Sequence, residues 1–129
     1  MLSELGHLLI IFSILSSTCL IFYSVKEVKS KNILPSNTIK NLSFLQIITT
    51  SSSFIVLIIA YILSDFSLVN VYENSHTDKP IIYKFSGVWG NHEGSLLLWI
   101  NVMVLFSFLF FLKNKRYSKD FQLLTLFFQ

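Results

Sequence analysis

The chain is short of charge. Only 13% of its 129 residues are Asp, Glu, Lys or Arg, against about 25% in ordinary soluble domains, while 53% are apolar. Cysteine is nearly absent too: Cys19 stands alone, so no internal disulfide and no CxxC pair for redox or covalent haem chemistry can form. Arg116 is the one arginine, beside nine lysines. The formal charge of +3 does not imply nucleic acid as a partner, because the basic residues flank apolar runs and make no patch interleaved with aromatics. There is no Ser-His-Asp order, no phosphate loop and no pair of catalytic carboxylates.

What is abundant is uncharged hydrocarbon. Leu8 to Val25, Asn41 to Ser64 and Gly94 to Leu112 each lack charge over 18, 24 and 19 residues. A helix needs about 17–25 such residues to cross a membrane, so the sequence predicts spans over 8–25, 41–64 and 94–112. A fourth apolar stretch, 121–129, covers only about 14 Å at 1.5 Å per residue. It reads as a truncated span, as in a fragment of a longer protein or an end packed on a partner. The expected fold is an all-α membrane protein, a single membrane region over 1–129, with an outer loop at 65–93 that holds a short interfacial helix.

Charge sorts by loop. Lys26, Lys29, Lys31 and Lys40 join the first two spans, and Lys113, Lys115, Arg116 and Lys119 follow the third. The connection between spans two and three has Asp65, Glu73, Asp78 and Glu93 against Lys79 and Lys84. The positive-inside rule then puts the basic loops in the cytoplasm or mitochondrial matrix, and the N-terminus and the 65–93 loop in the periplasm or intermembrane space. Glu4 and the missing basic n-region argue that the first span is not a signal peptide. The Lys, Phe, Ile and Asn bias suits an AT-rich organellar genome, so the expected location is the mitochondrial inner membrane, or a bacterial inner membrane.

Polar residues within the spans are small: Ser13, Ser16, Ser17 and Thr18 in the first, and Thr49 to Ser53 in the second. We read them as helix-packing seams; lining for a polar ligand is the alternative. In the outer loop, Phe66, Leu68 and Val71 read as extended chain, followed by a polar turn. Asp78 as a cap and Pro80 as a first-turn residue predict a helix with Ile81, Ile82, Phe85 and Trp89 on one face, anchored by Tyr83 and Trp89.

The most informative stretch is Trp89-Gly-Asn-His-Glu-Gly-Ser-Leu-Leu-Leu-Trp99, where Glu93 abuts the third span. His92 has three readings: a haem or metal ligand, a proton relay, or a hydrogen bond to a neighbouring loop. One histidine with no second at ligand spacing is a weak metal signal, so no metal site is assigned. Glu93 would cap the span or pair with a partner's Lys or Arg. Trp89 and Trp99 read as interface anchors, with stacking on a porphyrin the alternative. His7 reads as an interface residue and His76 as solvated.

This stretch resembles the WGxHEGSLLLW signature of CcmF, the membrane haem lyase component of system I cytochrome c maturation. Upstream, Val71-Tyr-Glu-Asn-Ser-His-Thr-Asp-Lys-Pro-Ile-Ile-Tyr-Lys is similar to the family's YxxxNSxTxLPxxYR stretch, and Glu4-Leu-Gly-His to its N-terminal ELGH. Lys79 stands where the family usually has an apolar residue, and Asn91 where it has a small one. The family is far longer, and its haem-holding WWD segment and histidines lie downstream of the matched region. The resemblance therefore implies an N-terminal portion, from a gene split in some mitochondria. It implies haem in the complete assembly and none on this chain alone. Partners would be the remaining CcmF portion with the WWD segment, other maturation components and apocytochrome c. Gly90, Glu93, Gly94, Ser95 and Trp99 form a structural signature, and His92 and Trp89 are candidate walls of a haem vestibule. The alternative is a non-catalytic structural subunit among respiratory-complex subunits. Either way membrane lipid surrounds the helices.

Overall fold

A computed structural model describes residues 2–29, 37–113 and 119–127. Its helices are α1 Leu2–Val28, α2 Asn37–Leu63, α3 Val69–Asn74, α4 Ile81–Gly87, α5 His92–Lys113 and α6 Lys119–Phe127. No strand occurs among these residues. The all-α membrane fold is observed: α1, α2 and α5 are each long and apolar enough to cross a bilayer. At 1.5 Å per residue, α1 and α2 are about 40 Å long and α5 about 33 Å, against a hydrocarbon core of about 30 Å.

Helices α1 and α5 outrun their charge-free windows because charges that bound them suit the end turns. Glu4 lies in the first turn of α1 and Lys26 in its last; Glu93 and Lys113 do the same for α5. Acids near the positive end of a helix and bases near the negative end are favourable, so these charges leave the helices uninterrupted. Lys31, Lys115, Arg116 and the last two residues of the 121–129 stretch lie outside the described residues.

α2 is the central helix, packed on α1 along one side and on α5 along another; α6 rests on α1 and α5. Apolar side chains form two knots. At the end of α6, Leu20, Ile39, Phe111, Leu123 and Leu126 come together. At the end of α3 and α4, Ala60, Tyr61, Val71 and Val88 do so. Between them the contact is polar. Ser13 and Thr50 hydroxyls meet at 2.8 Å across α1 and α2, and Ser51 donates to Asn101 Oδ1 at 3.1 Å across α2 and α5. These are the seams expected of the small polar residues. Ser43, Thr49 and Thr50 also return hydrogen bonds to carbonyls of their own helix.

The connection from α2 to α5 departs from the sequence reading in two places. The stretch expected to be extended holds α3 instead. It has no side-chain cap; Tyr61 ties Asn70 to α2, and Asn74 bonds back to the Asn70 carbonyl within the helix. Asp78 does not cap α4, whose N-cap is Pro80 with no side-chain cap bond. The expected apolar face of α4 does exist and is turned outward: Ile81 and Ile82 are 67% and 79% exposed. Phe85 and Trp89 stack edge to face with centroids 5.0 Å apart. Lys84 is buried instead.

Candidate functional site

Three asparagines and a tyrosine knit together the end of the bundle where α2 leaves it and α5 enters. Asn91 sits one residue before α5, and its Oδ1 accepts the Gly94 N–H at 2.7 Å. That is an N-cap bond to the third helical residue. The Asn91 carbonyl also accepts the Ser95 N–H at 3.1 Å, the first bond of the helical ladder. The cap expected of Glu93 is therefore supplied by Asn91, because a capping oxygen must come from the residue just before the first turn and Glu93 is already inside it.

The amide of Asn91 does the rest. Its Nδ2 donates to the Tyr61 hydroxyl oxygen at 2.6 Å and to the Gly87 carbonyl at 3.1 Å. Tyr61 donates to Asn70 Oδ1 at 2.5 Å. Asn70 Nδ2 closes the ring, donating to Asn91 Oδ1 at 3.1 Å and to Glu93 Oε2 at 3.0 Å. Asn74 Nδ2 then donates to the Asn70 carbonyl, and Lys79 Nζ to the Asn74 carbonyl. Tyr61 is fully buried, so its hydroxyl would be costly to leave unpaired.

Gly94 is buried directly beneath this ring. A Cβ there would overlap the Val88 carbonyl oxygen, so only glycine lets α5 start this close to the segment before it. Gly87 presses on the Tyr61 ring, where a Cβ would meet Cε1 at 3.4 Å.

The exit of α2 is fixed separately. Ser64 has φ 55°, the left-handed region, and its N–H bonds to the Tyr61 carbonyl while the Asp65 N–H bonds to that of Ala60. That pair of bonds is a Schellman motif with serine in the place usually taken by glycine. Lys84 Nζ donates to the Ser64 hydroxyl at 2.6 Å, which brings a buried cation to the negative end of α2. Just beyond, Ser67 hydrogen-bonds the Asp65 carboxylate and holds it below the usual range for an aspartate.

The signature residues divide between this ring and the surface. Glu93 and Gly94 are bonded to the ring, through Asn70 and Asn91, and Ser95 donates to the His92 carbonyl at 2.9 Å. His92, Trp89, Gly90 and Trp99 are exposed, Trp99 by 63% on the face of α5. A cavity of about 420 Å³ opens between α1, α2 and α5, with His7, Asn70 and Glu93 in its wall. One histidine lines it, and neither His92 nor Trp89 does. No three His, Cys, Asp or Glu side chains cluster as metal ligands among the described residues. With His7 as its one histidine, this cavity does not by itself hold an axial histidine pair for haem.

Sequence reasoning missed Tyr61, Asn70 and Lys84, and treated Asn91 as a mere departure. For Asn91 a signal existed: an asparagine just ahead of a long apolar run is an N-cap signature.

Comparison with known proteins places this arrangement. The chain is 41% identical over 107 residues to the cytochrome c-type biogenesis protein CycK of Rhizobium meliloti, covering 83% of this chain and 16% of the relative. The CycK protein of Bradyrhizobium diazoefficiens is 54% identical over 61 residues, or 47% of this chain and 9% of that one. The cytochrome c-type biogenesis protein CcmF of Haemophilus influenzae is 31% identical over 120 residues, 93% of this chain and 18% of the relative. The chain belongs to the CcmF family. It corresponds to the family's N-terminal portion and spans less than a fifth of the length of these relatives. No family model and no solved structure matches it. In this CcmF-type portion the signature is the place where α5 is capped and tied to α2.

Proposed function

We propose that this chain is the N-terminal membrane piece of a CcmF-type haem lyase, helping to assemble the complex that attaches haem to the CxxCH motif of apocytochrome c through two thioethers. The observation that carries the reading is the signature itself. Its residues recur in a chain similar to cytochrome c-type biogenesis proteins over nearly its whole length, and here they build one capped, hydrogen-bonded junction. The chain's own work is positional. Asn91, Tyr61 and Asn70 fix where α5 begins, and this presents His92 and Trp89 on the exposed end of the bundle. In the assembly we place these two in the wall of the haem vestibule, with the haem ligands supplied by a WWD-bearing polypeptide. Membership of a cytochrome c maturation family supports maturation components and apocytochrome c as partners. The setting we propose is the mitochondrial inner membrane, with the N-terminus and the 65–93 loop on the intermembrane-space side.

Affinity purification of the tagged chain from membranes in mild detergent tests this. A WWD-bearing polypeptide should come with it, together with a haem b Soret band belonging to the assembly. Recovery of respiratory-chain subunits without that polypeptide would replace the reading with a structural role.

A further inference from the structure

The cavity beside Glu93 does not end at the rim. A second cavity of about 280 Å³ lies deeper between the same three helices, and the two share Ile10, Ser53, Leu97 and Ile100 in their walls. They form one groove, running from Glu93 at the α3–α4 end to Thr18 and Gln46 in the interior of the bundle. We infer that this groove receives a transmembrane helix of a second polypeptide, one that carries a lysine or arginine level with Glu93. The inference rests on the reading of the chain as part of a CcmF-type assembly and names the surface by which it joins.

Three observations favour a helix over lipid tails. The deep half of the groove is lined by Ser13, Ser17, Thr18 and Thr50; Thr18 and Thr50 donate to the Ile14 and Gln46 carbonyls and Ser13 meets Thr50, which leaves hydroxyl oxygens as acceptors that a facing helix can engage and an acyl chain cannot. At the rim, the Glu93 carboxylate accepts from Asn70 and has no basic side chain within ion-pair distance among the described residues. Glu93 is exposed at the mouth of a largely apolar groove, and a helix seated there would desolvate the carboxylate and call for a cation on that helix. Finally, the relatives are more than five times as long as this chain, so an assembly of this family has further polypeptide to place against it.

The test is site-specific photo-crosslinking with p-benzoylphenylalanine at Leu97, in membranes that contain the assembled complex. The expected adduct maps to a membrane-spanning peptide with a basic residue near one end. Glu93→Gln should lower its yield about tenfold, as expected when one partner of a desolvated pair is truncated. The substituted amide would still offer an oxygen to Asn70, so the fold is retained, and the variant's melting temperature checks this. Glu93→Lys combined with an acid at the partner's basic position should restore the adduct. A phospholipid adduct at Leu97, or a peptide adduct indifferent to Glu93→Gln, overturns the inference. A phospholipid adduct while the WWD-bearing polypeptide still co-purifies would reject the groove and leave the functional reading standing. A Glu93-dependent adduct with a protein outside cytochrome c maturation would do the reverse.

Discussion

Asn91 and Tyr61, thirty residues apart in the chain, are joined by a 2.6 Å hydrogen bond between the amide of one and the hydroxyl of the other. The same asparagine caps α5, so one side chain sets both where that helix starts and what it leans on.

The two roles can be separated by substitution. Asn91→Ser keeps a capping oxygen and loses the amide donor, whereas Asn91→Ala loses both. We expect Asn91→Ala to destabilise by about 2–4 kcal/mol, adding a lost cap to orphaned partners, with Asn91→Ser between it and wild type. Unfolding of the purified chain in detergent measures this. Equal loss in both variants would mean that the cap contributes little.

Tyr61→Phe removes the hydroxyl from a fully buried ring. The cost should be about 1–3 kcal/mol, because Asn91 and Asn70 each lose a partner. Combined with Asn91→Ala it should cost clearly less than the sum of the two, since the substitutions destroy one network. Strict additivity would show that the ring of hydrogen bonds is not an energetic unit.

Gly94→Ala should be far worse than Gly6→Ala, although both glycines are helical. At Gly94 the added carbon overlaps backbone oxygen of Val88, which cannot swing aside; at Gly6 it meets Val56 Cγ1 at 3.5 Å, an ordinary contact. The expected loss at Gly94 is about 2 kcal/mol or more, of the kind seen when cores are overpacked, with Gly6→Ala near neutral. Melting temperatures of the two variants in the same detergent decide it.

Ser64 is a serine in a glycine conformation, held there with Lys84 on its hydroxyl. Ser64→Gly should therefore relieve about 1 kcal/mol of backbone strain but strip Lys84 of its acceptor. In wild type the two effects offset, while in a Lys84→Met background the glycine should be plainly stabilising. The same gain in both backgrounds would show that the lysine contact is worth nothing.

The sidedness proposed from the charges is open to labelling. With Cys19 replaced by serine, single cysteines at Thr77 and Lys40, both exposed, should react with an impermeant maleimide from opposite faces of sealed membranes. Labelling of both from one face would invert or discard the proposed arrangement.

The long helices were legible in the sequence because their signal is local: charge-free windows of 18 residues or more leave few alternatives. Their ends were not, since Glu4 and Lys113 stop a hydropathy count without stopping a helix. The ring at the α2–α5 junction was illegible for the opposite reason. Tyr61, Asn70 and Asn91 lie 9 to 30 residues apart, and no periodicity links them. The place of Lys84 was illegible as well, because a count of loop charges does not show that the aliphatic side of α4 faces out while the amine is sheltered at a helix end. The exposed positions of His92 and Trp89 follow from the turn before α5, which no composition argument reaches.

The closed ring at Asn91 has a consequence for biogenesis. Its three members stand at the exit of α2, in α3 and just ahead of α5, so on the proposed sidedness the bonds form only after the intervening loop has crossed the bilayer. Each long helix is apolar enough to enter the membrane by itself. On that sidedness the ring is a latch that closes only behind a translocated loop, and a chain whose loop had not crossed would leave Tyr61 without its two asparagine partners.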